Sequence, residues 1–168
     1  MPMKIAAIVF AVSATPALAD IEVRFIEGAP KDRFTFTASS TLCGAGPVAI
    51  DLNMEGSTGK LVFDVTESGA GVEVFQPLEI VSGSEVLVRA SDVTDGDQRL
   101  TFDLVSLDPG ETFAFTIDVD DTLGAREITV SGSEIAGARV SIQIDGELRS
   151  AVLDETARAT VKWPSCES

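Results

Sequence analysis

The chain has no histidine and no tyrosine, a single tryptophan and only two cysteines in 168 residues. Each absence removes a class of chemistry. Without histidine there is no Ser-His or Cys-His nucleophile pair, no usual zinc site and no residue of the type that most often serves as general base. Beyond Lys4 the only lysines are Lys31, Lys60 and Lys162, and nothing in the sequence sets a serine beside one of them. A two-carboxylate glycosidase needs only acids, but it also needs a platform for its sugar, and Trp163 ends an alternating apolar run that reads as core. The expectation is therefore a protein that is not an enzyme and has no catalytic residue, with a carboxylate-based hydrolase as the catalytic alternative. Basic residues are scarce as well, 12 against 27 acidic, for a net charge of −15. A field of that sign repels nucleic acid and anionic membrane surfaces.

Long apolar runs are missing too, apart from one near the start. Residues 1–19, MPMKIAAIVFAVSATPALA, carry Lys4, an apolar stretch from Ile5 to Val12, and the small-residue ending Ala17-Leu18-Ala19. This is the pattern of a secretory signal peptide, so the mature chain is expected to begin at Asp20, with residues 20–168 forming one domain. The stretch is too short to cross a bilayer, and no membrane span is expected. Asp rather than Cys at position 20 also argues against a lipoprotein anchor. Localisation follows: secreted, in the periplasm or outside the cell. Export places Cys43 and Cys166 where disulfides persist. A bond between them would close a long loop, worth about 4 to 5 kcal/mol in the chain-entropy account. A reduced pair or a thiol function are the alternatives.

What the chain does have is alternation. Ile21-Val23-Phe25, Phe34-Phe36, Val48-Ile50-Leu52-Met54, Leu61-Phe63-Val65, Val72-Val74, Val86-Val88, Leu100-Phe102-Leu104, Ile128-Val130, Val140-Ile142-Ile144 and Ala157-Ala159-Val161-Trp163 each repeat with period two. Glycine and proline punctuate them, at Gly28-Ala29-Pro30, Asp108-Pro109-Gly110 and Asp145-Gly146 among others. Only Asp154 to Arg158, DETAR, suggests a helical turn. Short strands at this spacing predict an all-β fold, a single β-sandwich of jelly-roll or Ig-like kind with short turns.

The clearest strand is Phe113 to Thr122, FAFTIDVDDT. It sends Phe113, Phe115, Ile117 and Val119 to one face and Thr116, Asp118 and Asp120 to the other. If Leu100–Leu104 and Phe113–Ile117 form a hairpin with Phe102 opposite Phe115, Arg99 falls opposite Asp118 and Asp97 opposite Asp120. The first is an ordinary surface ion pair; the second sets two carboxylates side by side. Asp97, Asp118, Asp120 and Asp121, with Asp95 close by, then supply the oxygen density that calcium prefers. Two readings of this acidic end stay open, a calcium site and a solvated rim.

Four stretches carry a resemblance. Ala19 to Phe34 (ADIEVRFIEGAPKDRF), Phe75-Gln76-Pro77-Leu78-Glu79 and Asp118-Val119-Asp120-Asp121-Thr122 resemble a group of small exported bacterial proteins called aggregation factor core proteins, and Ser133 to Ala138 (SEIAGA) is similar to C-terminal β modules of larger secreted bacterial proteins. The motifs are turns and strand patterns, and no catalytic residue comes with them. The resemblance implies an exported β-sandwich with an adhesive or matrix role, its partner being itself, another surface protein or a glycan. A structural subunit of an extracellular assembly is the alternative that it leaves.

Overall fold

The computed structural model describes residues 19–40, 42, 46–67, 75–123 and 130–163. The signal peptide through residue 18, both cysteines, Val72–Val74 and Ile128 lie outside the described residues, and so does the expected Cys43–Cys166 bond. Twelve strands occur among those described: β1 (Ala19–Ile26), β2 (Asp32–Ala38), β3 (Val48–Asn53), β4 (Val62–Phe63), β5 (Glu79–Ser82), β6 (Leu87–Ala90), β7 (Arg99–Leu104), β8 (Thr112–Ile117), β9 (Val119–Asp120), β10 (Arg139–Ile144), β11 (Glu147–Val152) and β12 (Arg158–Trp163). The period-two patterns produce them directly. In β1, β3, β10 and β12 every second residue is buried, which is what a strand with one covered face requires.

The strands form two five-stranded antiparallel sheets, ordered β12-β1-β2-β8-β5 and β11-β10-β3-β7-β6, with β4 and β9 as a small third pair. The two large sheets meet through phenylalanines. Phe34 and Phe115 are ladder partners in the first sheet and stack at 5.1 Å, and Phe102 of the second sheet reaches across to Phe113 at 5.0 Å and Phe115 at 4.8 Å. Offset and edge-on aromatic contacts of this kind add to the burial of the rings themselves. Asp145-Gly146 closes the β10–β11 hairpin with φ of 50° and 84°. Two successive left-handed residues are what a tight hairpin turn needs to match strand twist, and Asp-Gly supplies them at low cost.

Three expectations change. The β7–β8 hairpin does not form: β7 pairs with β3 and β6, and β8 pairs with β2 and β5. Phe102 does face Phe115, but as opposed side chains of two sheets and not as ladder partners. Residues 105–111 are long enough to carry the chain from one sheet to the other, and with both edges of each strand taken by other partners the two apolar faces stack across the sheets. Secondly, Asp154 to Arg158 is not helical. The Asp154 carboxylate accepts hydrogen bonds from Thr156 N–H at 2.8 Å, its hydroxyl at 2.7 Å and Arg158 N–H at 3.2 Å, and Ala157 takes φ of 60°. Those donors hold the segment as a tight turn between the sheets.

Thirdly, β8 is covered on both faces. Thr116, expected on the solvent side, is 5% exposed, and its hydroxyl oxygen has no hydrogen-bond partner. Two substitutions test this arrangement by urea unfolding. Phe115→Ala should lower stability by about 3 to 5 kcal/mol, as aromatic truncation in a packed core does. Thr116→Val should raise it by about 1 kcal/mol, because it removes a buried hydroxyl that bonds nothing. A loss of stability in Thr116→Val would show that the hydroxyl has a partner.

Candidate functional site

The phenylalanine core fixes the direction of β8, and the end of that strand delivers aspartates into the protein. After Ile117 the ladder with β2 ends, and the chain re-pairs with β4, Val119 opposite Phe63 and Asp120 opposite Val62. Continuing this register sets Asp118 opposite Asp64, and the Asp64 N–H donates to the Asp118 carbonyl at 3.2 Å. Residues around Gln76 run between the same two segments, its N–H donating to the Asp64 carbonyl at 3.3 Å and its carbonyl accepting from Asp118 N–H at 3.2 Å. Asp32, at the start of β2, lies opposite Ile117 and completes the group.

Asp32, Asp64, Asp118 and Asp120 are all buried, between 2% and 9% exposed. Directly opposed like charges are destabilising even at a surface, and more so away from water. Burial, above all, pushes the Asp32 carboxyl up to about 8; the Gly28 N–H, 3.0 Å from its Oδ1, pulls the other way, and Asp118 and Asp120 add to the rise. Asp118 is pushed up to about 7, first by burial and then by Asp120 and Asp64. Among the described residues, the charges that act most on these two carboxyls are other aspartates. The Oδ2 atom of Asp118 is buried without a hydrogen-bond partner.

The expected acidic residues are thus divided. Asp118 and Asp120 come together, whereas Asp97 and Asp121 serve turns of their own. Asp97 accepts from the N–H and hydroxyl of Thr94 at 2.7 and 2.9 Å, and Asp121 accepts from Leu123 N–H at 3.1 Å. Asp95 accepts from the Thr66 hydroxyl and from the N–H groups of Val65 and Thr66. These bonds, with one to the Asp64 carboxyl, hold it below the usual carboxylate range. Arg99 pairs with Asp51 and not with Asp118, at 2.7 and 2.8 Å in a two-pronged contact on the second sheet. No protein-family model and no curated protein matches the chain.

Sequence reasoning missed Asp32 and Asp64. For Asp32 a signal was present: it shares the parity of Phe34, Phe36 and Ala38, so the alternation that buries those residues buries it too. Asp64 gave none, because it lies off the parity of Leu61, Phe63 and Val65, and its neighbours at β9, Gln76 and Asp95 are distant in sequence.

The raised carboxyls have a consequence for stability. In water an aspartate ionises near pH 4. Between about pH 4 and pH 8 the folded protein therefore keeps protons that the unfolded chain has released, and its stability falls as pH rises. The contribution is complete below about pH 4 and gone above about pH 8. With a chelator present, the melting temperature should fall steadily from about pH 5 to about pH 8, and Asp118→Asn should flatten that slope and raise the melting point at the alkaline end. A melting temperature that climbs across this range would contradict the buried, proton-holding cluster.

Proposed function

We propose that this is an exported, non-catalytic β-sandwich of jelly-roll or Ig-like kind that works as a binding or adhesion module at the cell exterior. The observation that carries the reading is the edge strand β11. It pairs with β10 in unbroken register from Glu147 to Val152, and among the described residues no strand pairs with its other side. It also presents Leu148 and Val152 to solvent, 64% and 45% exposed. A straight edge with apolar side chains is a template for strand addition by another chain. The opposite edges differ: β5 and β6 each carry a register shift, a device that blunts edge pairing. Arg149 lies over the Trp163 ring at 5.4 Å and fastens β11 to β12, so the edge is presented from a rigid corner.

The resemblance to aggregation factor core proteins supports an adhesive role and an extracellular place, and the strong negative charge favours solubility. No helix among the described residues is long and apolar enough to cross a membrane. The hydrolase alternative would draw on Asp32 and Asp118 as proton-bearing acids. Neither lines the surface hollows around Pro47, Asp92 or Ser82, where a substrate could settle. A subunit of a larger extracellular assembly would use the same edge with a different chain as partner.

Sedimentation over a wide concentration range tests the reading. The wild type should show reversible self-association, and Leu148→Lys with Val152→Lys should leave a monomer whose thermal unfolding is unchanged, because both side chains are exposed. Association that persists undiminished in the double variant would place the interface elsewhere. A wild type that stays monomeric at the highest attainable concentration would remove self-adhesion.

A further inference from the structure

We propose that Asp32, Asp64, Asp118 and Asp120 form a buried binding site for one divalent cation of the calcium class. The inference goes beyond the association reading and does not depend on it. It starts from the convergence of separate stretches of chain on one place: the start of β2, the residue after β4, and the β8–β9 junction, with Gln76 joining the last two through its backbone. An acidic loop on a surface could splay its side chains into water. Here all four side chains are buried, Asp118 to more than nine-tenths, and the Oδ2 of Asp118 has no hydrogen-bond donor to replace its lost water. Buried charge is retained in proteins when it is paired or when it holds a metal. Among the described residues, the charges that act most on Asp32 and Asp118 are other aspartates and not basic side chains.

The donor set selects the ion. Four carboxylates, with no histidine anywhere in the chain, make a hard, all-oxygen site that suits calcium, magnesium or manganese and not zinc or copper. Among the described residues no three acidic side chains are already arranged to hold a metal ion. An ion must therefore draw the carboxylates inward by rotating their side chains. Calcium accepts roughly six to eight oxygens in irregular geometry and bidentate carboxylates, whereas magnesium demands a near-ideal octahedron and keeps its waters. Such a site therefore favours calcium. Asp97 and Asp121, each occupied in its own turn, stand outside it.

The test is calorimetric titration of chelator-treated full-length protein with calcium chloride and magnesium chloride at pH 7.5, with melting curves in calcium and in sodium chloride of equal ionic strength. The expected result is one saturable calcium per chain, magnesium weaker by about tenfold or more, and a rise in melting temperature specific to calcium. Asp118→Asn and Asp64→Asn should each weaken calcium by about tenfold or more, and Asp118→Asn should melt higher than wild type in chelator, which shows that the loss is not misfolding. The double change Asp97→Asn with Asp121→Asn should leave calcium binding intact. Absence of saturable calcium heat, or a melting rise equal in calcium and sodium, would overturn the site. So would binding that survives Asp118→Asn and Asp64→Asn but is lost in the Asp97, Asp121 double variant. Because association is read by sedimentation and the cation by heat per monomer, either proposal can fail without the other.

Discussion

A carboxylate taken out of water loses several kcal/mol of hydration, and a protein that buries one must supply a proton, a cation or a set of donors in its place. At the end of β8 this chain buries two in succession, Asp118 and Asp120, and brings Asp64 and Asp32 to meet them. Among their donors are the N–H groups of Gly28 and Val119 for Asp32 and of Val119 for Asp118, and Asp64 shares a hydrogen bond with Asp95. Protons supply part of the remainder near neutral pH, which is why burial lifts Asp32 and Asp118 so far. The molecule is therefore well packed through its middle and crowded with like charge at one end.

The two regions are mechanically continuous. Phe113 and Phe115 fasten β8 to β2 through Phe34 and Phe36 and to the second sheet through Phe102, and Ile117 extends the same buried row. With that row fixed, the backbone beyond it can turn only where the ladder with β2 ends, and there it takes up β4. A rigid strand that ends in acids is a way of holding like charges closer than a loop would allow. An ion bound there, as proposed, would meet ligands whose backbones are already ordered, so the entropy left to lose would be confined to side-chain rotation.

Much of the fold was legible because period-two alternation is a local property. The strands of β1, β2, β3, β7, β8, β10 and β12 and the Asp-Gly hairpin all follow from neighbours in sequence. Strand partners do not. Phe102 and Phe115 were rightly matched as core neighbours but wrongly as ladder partners, since an apolar face says nothing about whether it will be paired edgewise or stacked. The missed β5 reads Glu-Ile-Val-Ser, a mostly exposed edge strand with little contrast between its faces. The acidic site was half legible: Asp118 and Asp120 stand out in the sequence, but Asp64 arrives only through the β4–β9 pairing, a contact between residues far apart in the chain.

Carbon-13 NMR of the aspartate side-chain carboxyls, followed from pH 4 to pH 9 with chelator present, tests the buried cluster most directly. The account predicts that the Asp32 and Asp118 resonances change near pH 8 and pH 7, well above the value of about 4 at which an aspartate ionises in water. Titration of Asp32 and Asp118 near that ordinary value would contradict it, because carboxyls that ionise so readily must be in contact with water or with a basic partner.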